Sequence, residues 1–199
     1  MKSILLAAAL VAATTPAYSQ LTASETILDR DQKAFVMGGR MGQSDMGEML
    51  NPFTATYENT IVLGAGYQRY FFEPFDDFKV GLEIGATLRL GDEITGEGWA
   101  GIVGRYDGWV LADRLRLSPS LVFGGSVVTK TIGVEAEREA NDGLPGNILF
   151  YLSPEISIST LDNPNSEVFW RLQHRSGAWN TFGGGGTANA TMLGIRTSF

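Results

Sequence analysis

The 199-residue chain contains no cysteine, a single histidine and no apolar run longer than the ten residues 4–13. Without cysteine there is no disulfide framework, no thiolate metal site and no cysteine nucleophile. One histidine supplies too little material for a His-rich metal centre. Basic side chains are scarce as well: 15 Lys+Arg stand against 22 Asp+Glu, a net charge of −7, which argues against gripping a nucleic-acid backbone. Charged residues make up only 19% of the chain, yet the hydrophobic share of 44% is that of a folded protein and excludes wholesale disorder. The length admits one domain, or two small ones. What is abundant is glycine, 25 residues, together with 21 aromatics, a pairing that favours closely packed strands over helices.

The first twenty residues, MKSILLAAALVAATTPAYSQ, have the layout of a secretory signal peptide: Lys2, then the apolar run 4–13, then Pro16 before Ala17-Tyr18-Ser19. Ten apolar residues rise only about 15 Å as a helix, roughly half a bilayer core, which speaks against an uncleaved helical anchor. The expectation is a leader over 1–19, cleaved after Ser19, and one domain over 20–199 working outside the cytoplasm. Removing Lys2 leaves 14 Lys+Arg against 22 Asp+Glu in that domain, a charge of −8. No later stretch is long and apolar enough for a transmembrane helix, so membrane entry would have to be as a barrel.

Residues 78–90 alternate without a break: Phe78, Val80, Leu82, Ile84, Ala86, Leu88 and Leu90 share one face, Lys79, Gly81, Glu83, Gly85, Thr87 and Arg89 the other. A period of two over this length is a strand signal. Residues 114–126 repeat it, and the last segment, with Leu193, Ile195 and Phe199 opposite Gly194, Arg196 and Ser198, does so more weakly. Segments 33–42, 56–71, 99–106, 147–159 and 167–176 bring the total to eight strands. Short connections (73–77, 107–113, 161–166) interleave with longer ones (43–55, 127–146, 177–186), and 91–98 is intermediate. An even strand count with short turns at one end and longer loops at the other is the layout of a bacterial outer-membrane barrel; a ten-stranded closure is the alternative. Within the loop 127–146, the run VEAEREA over 134–140 suits a helical turn or two with its glutamates as a solvated face.

A soluble barrel binding a small ligand would point its apolar face inward. Here the opposite face carries Glu83, Arg89, Arg114, Arg116, Arg171, Arg175 and Arg196 among many glycines, a composition suited to a narrow interior filled by hydrogen-bonded ion pairs. Strands of thirteen residues also exceed the usual five or six of soluble sheets. The reading is an all-β, eight-stranded antiparallel transmembrane β-barrel of the bacterial outer membrane.

Chemistry is concentrated in one strand, residues 167–176, EVFWRLQHRS. Parity places Val168, Trp170, Leu172, His174 and Ser176 on the lipid side and Phe169, Arg171, Gln173 and Arg175 inside. Counting strands from a periplasmic N-terminus, this one runs outward, so His174 and Ser176 fall at the outer-leaflet interface below the loop 177–186. Residues two apart on a strand have Cα atoms about 6.5–7 Å apart on one face. A neutral imidazole there can take the serine proton and return it to a leaving group, the minimum for nucleophilic ester cleavage. A polar rim where the strand leaves the membrane would also account for the pair.

The layout, the H-x-S of His174-Arg175-Ser176 and the run FWRLQHRSGAWNT over 169–181 resemble the lipid A 3-O-deacylases of the PagL type (acyloxyacyl hydrolases), eight-stranded outer-membrane barrels. The resemblance implies a carboxylic-ester hydrolase, with Ser176 as nucleophile and His174 as base, removing the 3-linked acyl chain of lipid A in the outer leaflet without metal or cofactor. Two departures stand out. The family has Asn after the serine where this chain has Gly177, and a Glu about a dozen residues on, where Thr187, Ala188 and Asn189 stand here. Parity from Phe199 puts Thr187 and Asn189 on the dyad's face, and an Asn can orient a His by accepting its second N–H, so Asn189 takes the third place. Glu135, Glu137 and Glu139 are the other acids within reach of the loops. Gly177 and glycines 183–186 are candidate oxyanion donors, and Trp170, Trp179 and Phe182 candidates for an interfacial aromatic girdle. The competing function is a non-catalytic small structural barrel.

Overall fold

The computed structural model describes residues 31–178 and 185–199; the expected leader, Trp179, Phe182 and glycines 183 and 184 lie outside them. The order is β1 (Gln32–Gly42), α1 (Met46–Met49), β2 (Tyr57–Phe75), β3 (Phe78–Leu90), β4 (Ile94–Tyr106), β5 (Trp109–Leu111), β6 (Leu115–Val128), α2 (Gly133–Asp142), β7 (Ile148–Thr160), β8 (Ser166–Ser176) and β9 (Thr187–Ser198). Every strand pairs antiparallel with its neighbour, β1 pairs with β9, and β4 pairs with β6, so that eight long strands close into a barrel. The three-residue β5 only lengthens β6 within the β4–β6 turn. The eight-strand expectation holds and the ten-stranded alternative falls.

The sides of the wall are sorted as the alternation requires. Val36, Leu63, Leu82, Ile84, Leu88, Ile102, Phe123, Val168, Leu193 and Ile195 stand exposed on the outside. Inside lie Glu83, Arg89, Glu97, Arg105, Glu155, Glu167, Arg171, Arg175 and Arg196, all buried. An apolar exterior around a charged bore is the inverse of a soluble ligand-binding barrel and the arrangement of a transmembrane one. At the turn end, Phe71, Phe72, Phe75, Trp109 and Phe199 form an exposed aromatic belt, with Phe75 stacked on Phe78 at 4.7 Å and Trp109 edge-on to Tyr106 at 6.1 Å.

The bore is filled by two ion-pair clusters. In the lower one Arg171 donates to Glu83 at 2.6 and 2.7 Å and to Glu155 at 2.8 Å, while Arg196 donates to Glu155 at 2.6 and 2.7 Å. Glu167 accepts from Lys33 and from both terminal nitrogens of Arg105. Glu83 is completed by Trp99 Nε1 at 2.8 Å and Gln68 Nε2 at 2.5 Å. The Trp99 indole reaches it across Gly85, where a Cβ would lie 2.2 Å from the ring. In the upper cluster Arg89 bonds Glu97 and Glu135, and Arg175 bonds Glu135. Charges buried this deeply persist only when paired and hydrogen-bonded.

Four expectations need correction. First, β4 starts at Ile94, and the 91–98 loop shrinks to a turn in which Gly91 N–H donates to Glu93 O at 3.3 Å. Glycines 96 and 98 thin the side-chain pattern there, but pairing with β3 carries the strand through them. Second, Arg114 is exposed at a turn and Arg116 only half-buried, since the strand is leaving the barrel at that end. Third, the helix over Gly133–Asp142 is longer than a turn or two and ends at Gly143 in the left-handed conformation (φ 65°). Its glutamates are not all solvated: Glu135 is 1% exposed and lies between Arg89 and Arg175, capping the bore from the loop end. Fourth, Trp170 stands mid-strand between Ile156 and Leu193, not in a terminal girdle.

Candidate active site

The outer face of β8 and β9 changes character toward the loop end. Below, it is Val168, Leu193 and Ile195; above, Leu172, His174 and Ser176 of β8 face Thr191, Asn189 and Thr187 of β9 in register. Uncharged polar groups on lipid-facing parity need local hydrogen-bond partners. The 43–56 loop supplies them by folding down over the wall. Met49, fully buried, seats against Gly42, where a Cβ would come within 2.3 Å of its sulfur, and Gly42 pairs directly with Asn189. Tyr57 Oη donates to Pro52 O at 2.9 Å and lies 3.5 Å from Thr191 Oγ1.

Asn189, 1% exposed, is therefore held from both sides. Its Nδ2 donates to Ser44 O at 2.9 Å, which turns Oδ1 toward His174 Nδ1 at 2.7 Å. Because Oδ1 can only accept, Nδ1 is the donor and carries the ring proton, leaving Nε2 as a free base. Ser176 lies two residues on, on the same face; no hydrogen bond joins its hydroxyl to the imidazole among the described residues.

His174 and Ser176 line a groove of about 870 Å³. Phe123, Phe150 and Leu152 form its barrel wall, with Phe123 and Phe150 stacked at 5.6 Å; Leu144 and Asp142 border it from the α2 loop and Met46 from the 43–56 loop. These apolar lining residues were not foreseen as site residues, although the alternation of β6 and β7 already placed Phe123 on the outside. Gly177, Gly185 and Gly186 also line the groove. Two of the candidate oxyanion donors are already engaged: Gly185 N–H donates to Pro145 O at 3.2 Å and Gly186 N–H to Asp142 Oδ2 at 2.7 Å. Of the glycines proposed and described, Gly177 is left for that role.

The acids of α2 do not reach the histidine. Glu135 is committed to the bore, Glu139 bonds Thr131 Oγ1 and the Gly146 N–H, and Glu137 is exposed. Two further participants had no signature in the sequence: the Ser44 carbonyl and Arg138. Arg138 Nη2 donates to Gln43 O at 2.8 Å and lies 3.5 Å from Asp45 Oδ1, while Nη1 donates to Thr187 O at 3.2 Å. Among the described residues there is no cluster of three or more His, Asp or Glu side chains able to hold a metal.

No protein-family model matches the chain, and no curated protein matches it by sequence. Among solved structures, the outer membrane enzyme PagL superposes with a TM-score of 0.55 at 12% identity, covering 84% of this chain and 99% of that one. Neisserial surface protein A gives a TM-score of 0.47 at 9% identity over 84% and 96% of the two chains. The N-terminal barrel domain of Pseudomonas aeruginosa OprF gives 0.46 at 10% identity over 85% and 98%. At such identities the PagL likeness speaks for the fold alone: this chain is a closed, eight-stranded antiparallel barrel of the kind found in bacterial outer-membrane proteins.

Proposed function

We propose that the protein is a serine esterase of the bacterial outer membrane that removes the 3-linked acyl chain from lipid A, with Ser176 as nucleophile, His174 as base and Asn189 as its orienting partner. The observation that carries this reading is the 2.7 Å bond from His174 Nδ1 to Asn189 Oδ1, made on the outer face of the barrel beside Ser176. It leaves Nε2 unprotonated and so able to accept a serine proton.

In this reading Nε2 accepts the Ser176 proton as Oγ attacks the ester carbonyl. The Gly177 N–H donates to the developing oxyanion. The imidazolium then gives its proton to the departing sugar oxygen, leaving the acyl chain on Ser176. A water, deprotonated by the same Nε2, releases the fatty acid. The Phe123, Phe150 and Leu152 wall offers an apolar bed for that chain, and its place outside the barrel suits a lipid arriving from the leaflet.

One observation favours the alternative, a non-catalytic structural barrel: the histidine's partner is an amide, which orients the ring but does not neutralise an imidazolium. Mass spectrometry of lipid A incubated with the refolded barrel and with Ser176→Ala decides between them. Loss of one 3-linked hydroxyacyl mass only with the intact serine is the expected result. Unchanged lipid A at high protein concentration and long times would establish the structural reading.

A further inference from the structure

The bond between Asn189 and His174 is set by a chain of contacts that starts on the other side of the wall. Asn189 presents Oδ1 to the ring because its Nδ2 is taken by Ser44 O. Ser44 belongs to the 43–56 loop, which is closed on itself by Gln43 N–H to Thr56 O at 2.9 Å and Thr56 N–H to Ser44 Oγ at 3.3 Å. Those bonds shape the loop without fixing it against β9. Tyr57 Oη, bonded to Pro52 O and 3.5 Å from Thr191 Oγ1, ties the far end of the loop to β9, and the end that carries Ser44 is tied by the Arg138 guanidinium. One edge donates to Gln43 O beside Ser44, the other to Thr187 O on β9, two residues from Asn189 and in register with Ser176. A planar fork bridges two carbonyls of separate elements in a way that one amine cannot. Arg138 is itself placed by its helix, because Glu135, one turn earlier, is locked in the bore by Arg89 and Arg175.

We infer that Arg138 is a positioning residue: by bridging Gln43 and Thr187 it holds the Ser44 carbonyl on the Asn189 amide and so fixes the His174 imidazole as the Nδ1–H tautomer. The hydrogen-bond lock stands on its own; its consequence for catalysis rests on the proposed esterase reading. Released from the lock, the amide can rotate and the ring returns to the Nε2–H form that free imidazole prefers, which has no lone pair on Nε2 to take a serine proton.

With one histidine in the chain, ¹⁵N-histidine labelling gives a single pair of ring signals to read. In the wild-type barrel refolded in detergent at neutral pH, Nδ1 should be protonated and Nε2 should show the shift of an unprotonated nitrogen. Asn189→Ala supplies the unlocked reference spectrum. Arg138→Met should move both signals toward that reference while the barrel keeps its heat-modifiable gel mobility. If Arg138→Met does not refold, Arg138→Lys keeps the charge but not the fork, and should give the same displacement. A folded Arg138 variant of either kind with the wild-type ring spectrum overturns the inference. Lipid A hydrolysis is scored separately: on an active barrel Arg138→Met should lower kcat about tenfold with little change in KM. A wild-type barrel with a locked tautomer and no hydrolysis would remove the esterase reading and leave the positioning role intact.

Discussion

The barrel holds polar side chains on both sides of its wall, and the two sets are treated differently. Inside, cations and carboxylates are densely paired: Glu83 alone accepts from Arg171, Trp99 and Gln68. Outside, at the loop end of β8 and β9, the strand side chains are neutral, a short chain of bonds runs from Ser44 through Asn189 to His174 with Arg138 bridging backbone carbonyls beside it, and Ser176 follows beside an open groove. Dense pairing of opposite charges makes a plug whose guanidiniums and carboxylates neutralise one another. An ordered but unfinished network is what a nucleophilic site requires. The interior should therefore govern stability and the exterior patch reactivity, each with little effect on the other.

The sharpest test of that division is Ser176→Ala. On the esterase reading it should abolish lipid A hydrolysis, a loss of at least about 10³-fold, while the urea midpoint of the barrel stays within error of wild type. A stability change of comparable size would place Ser176 in the structural set. The converse is Glu83→Ala, which leaves the Arg171 guanidinium with Glu155 alone in the bore. A broken buried pair costs about 3–5 kcal/mol, so unfolding in urea should shift markedly while the ring signals of His174 do not move. Replacing both Glu83 and Arg171 with leucine should recover part of that loss, because apolar side chains of similar size remove the desolvation cost as well as the attraction.

Asn189 sharpens the comparison further. On the esterase reading, Asn189→Ala should reduce turnover about 10²-fold through misplacement of the imidazole. On the same reading Asn189→Asp should instead raise the rate above wild type, since a carboxylate would both orient the ring and stabilise an imidazolium formed during attack. Rates for the two variants over a pH series, compared at saturating lipid, check both directions.

Much of this arrangement was legible from alternation. The bounds of β3, Phe78–Leu90, coincide with the stretch over which the period of two is unbroken. Parity alone put His174, Ser176 and Asn189 on one outward face. What periodicity misses is anything that crosses between elements. The acid of α2 looked solvated because its partners, Arg89 and Arg175, lie 46 and 40 residues away on strands whose mouth it closes. A signal for it did exist: the strand residues assigned to the bore comprised six arginines and one glutamate, an imbalance no narrow interior tolerates. Glu97, Glu155 and Glu167 on the strands and Glu135 from the loop supply the missing charge. The Ser44 carbonyl and the Arg138 bridge are backbone contacts, which residue identity does not encode. The engaged N–H groups of Gly185 and Gly186 escaped for the same reason.

The smallest expected effect concerns the loop that carries α2. Hydrogen bonds from Thr131 Oγ1 and the Gly146 N–H hold the Glu139 carboxyl below its ordinary value of 4.5, and together they close the loop at its base. A carboxyl lowered in the folded state contributes its stabilisation fully above the unfolded value and loses it as pH falls through the folded one. Exchange of the Gly146 amide should thus stay protected down to about pH 4.5 and lose protection below it, whereas in Glu139→Gln the amide should show no such step. The amides at the C-terminal turn of α2 are held by the helix's own hydrogen bonds and should not follow Gly146. If they did, the rim and the plug would be one unit, and the separation between a densely paired interior and an adjustable exterior would fail at the point where the helix joins them.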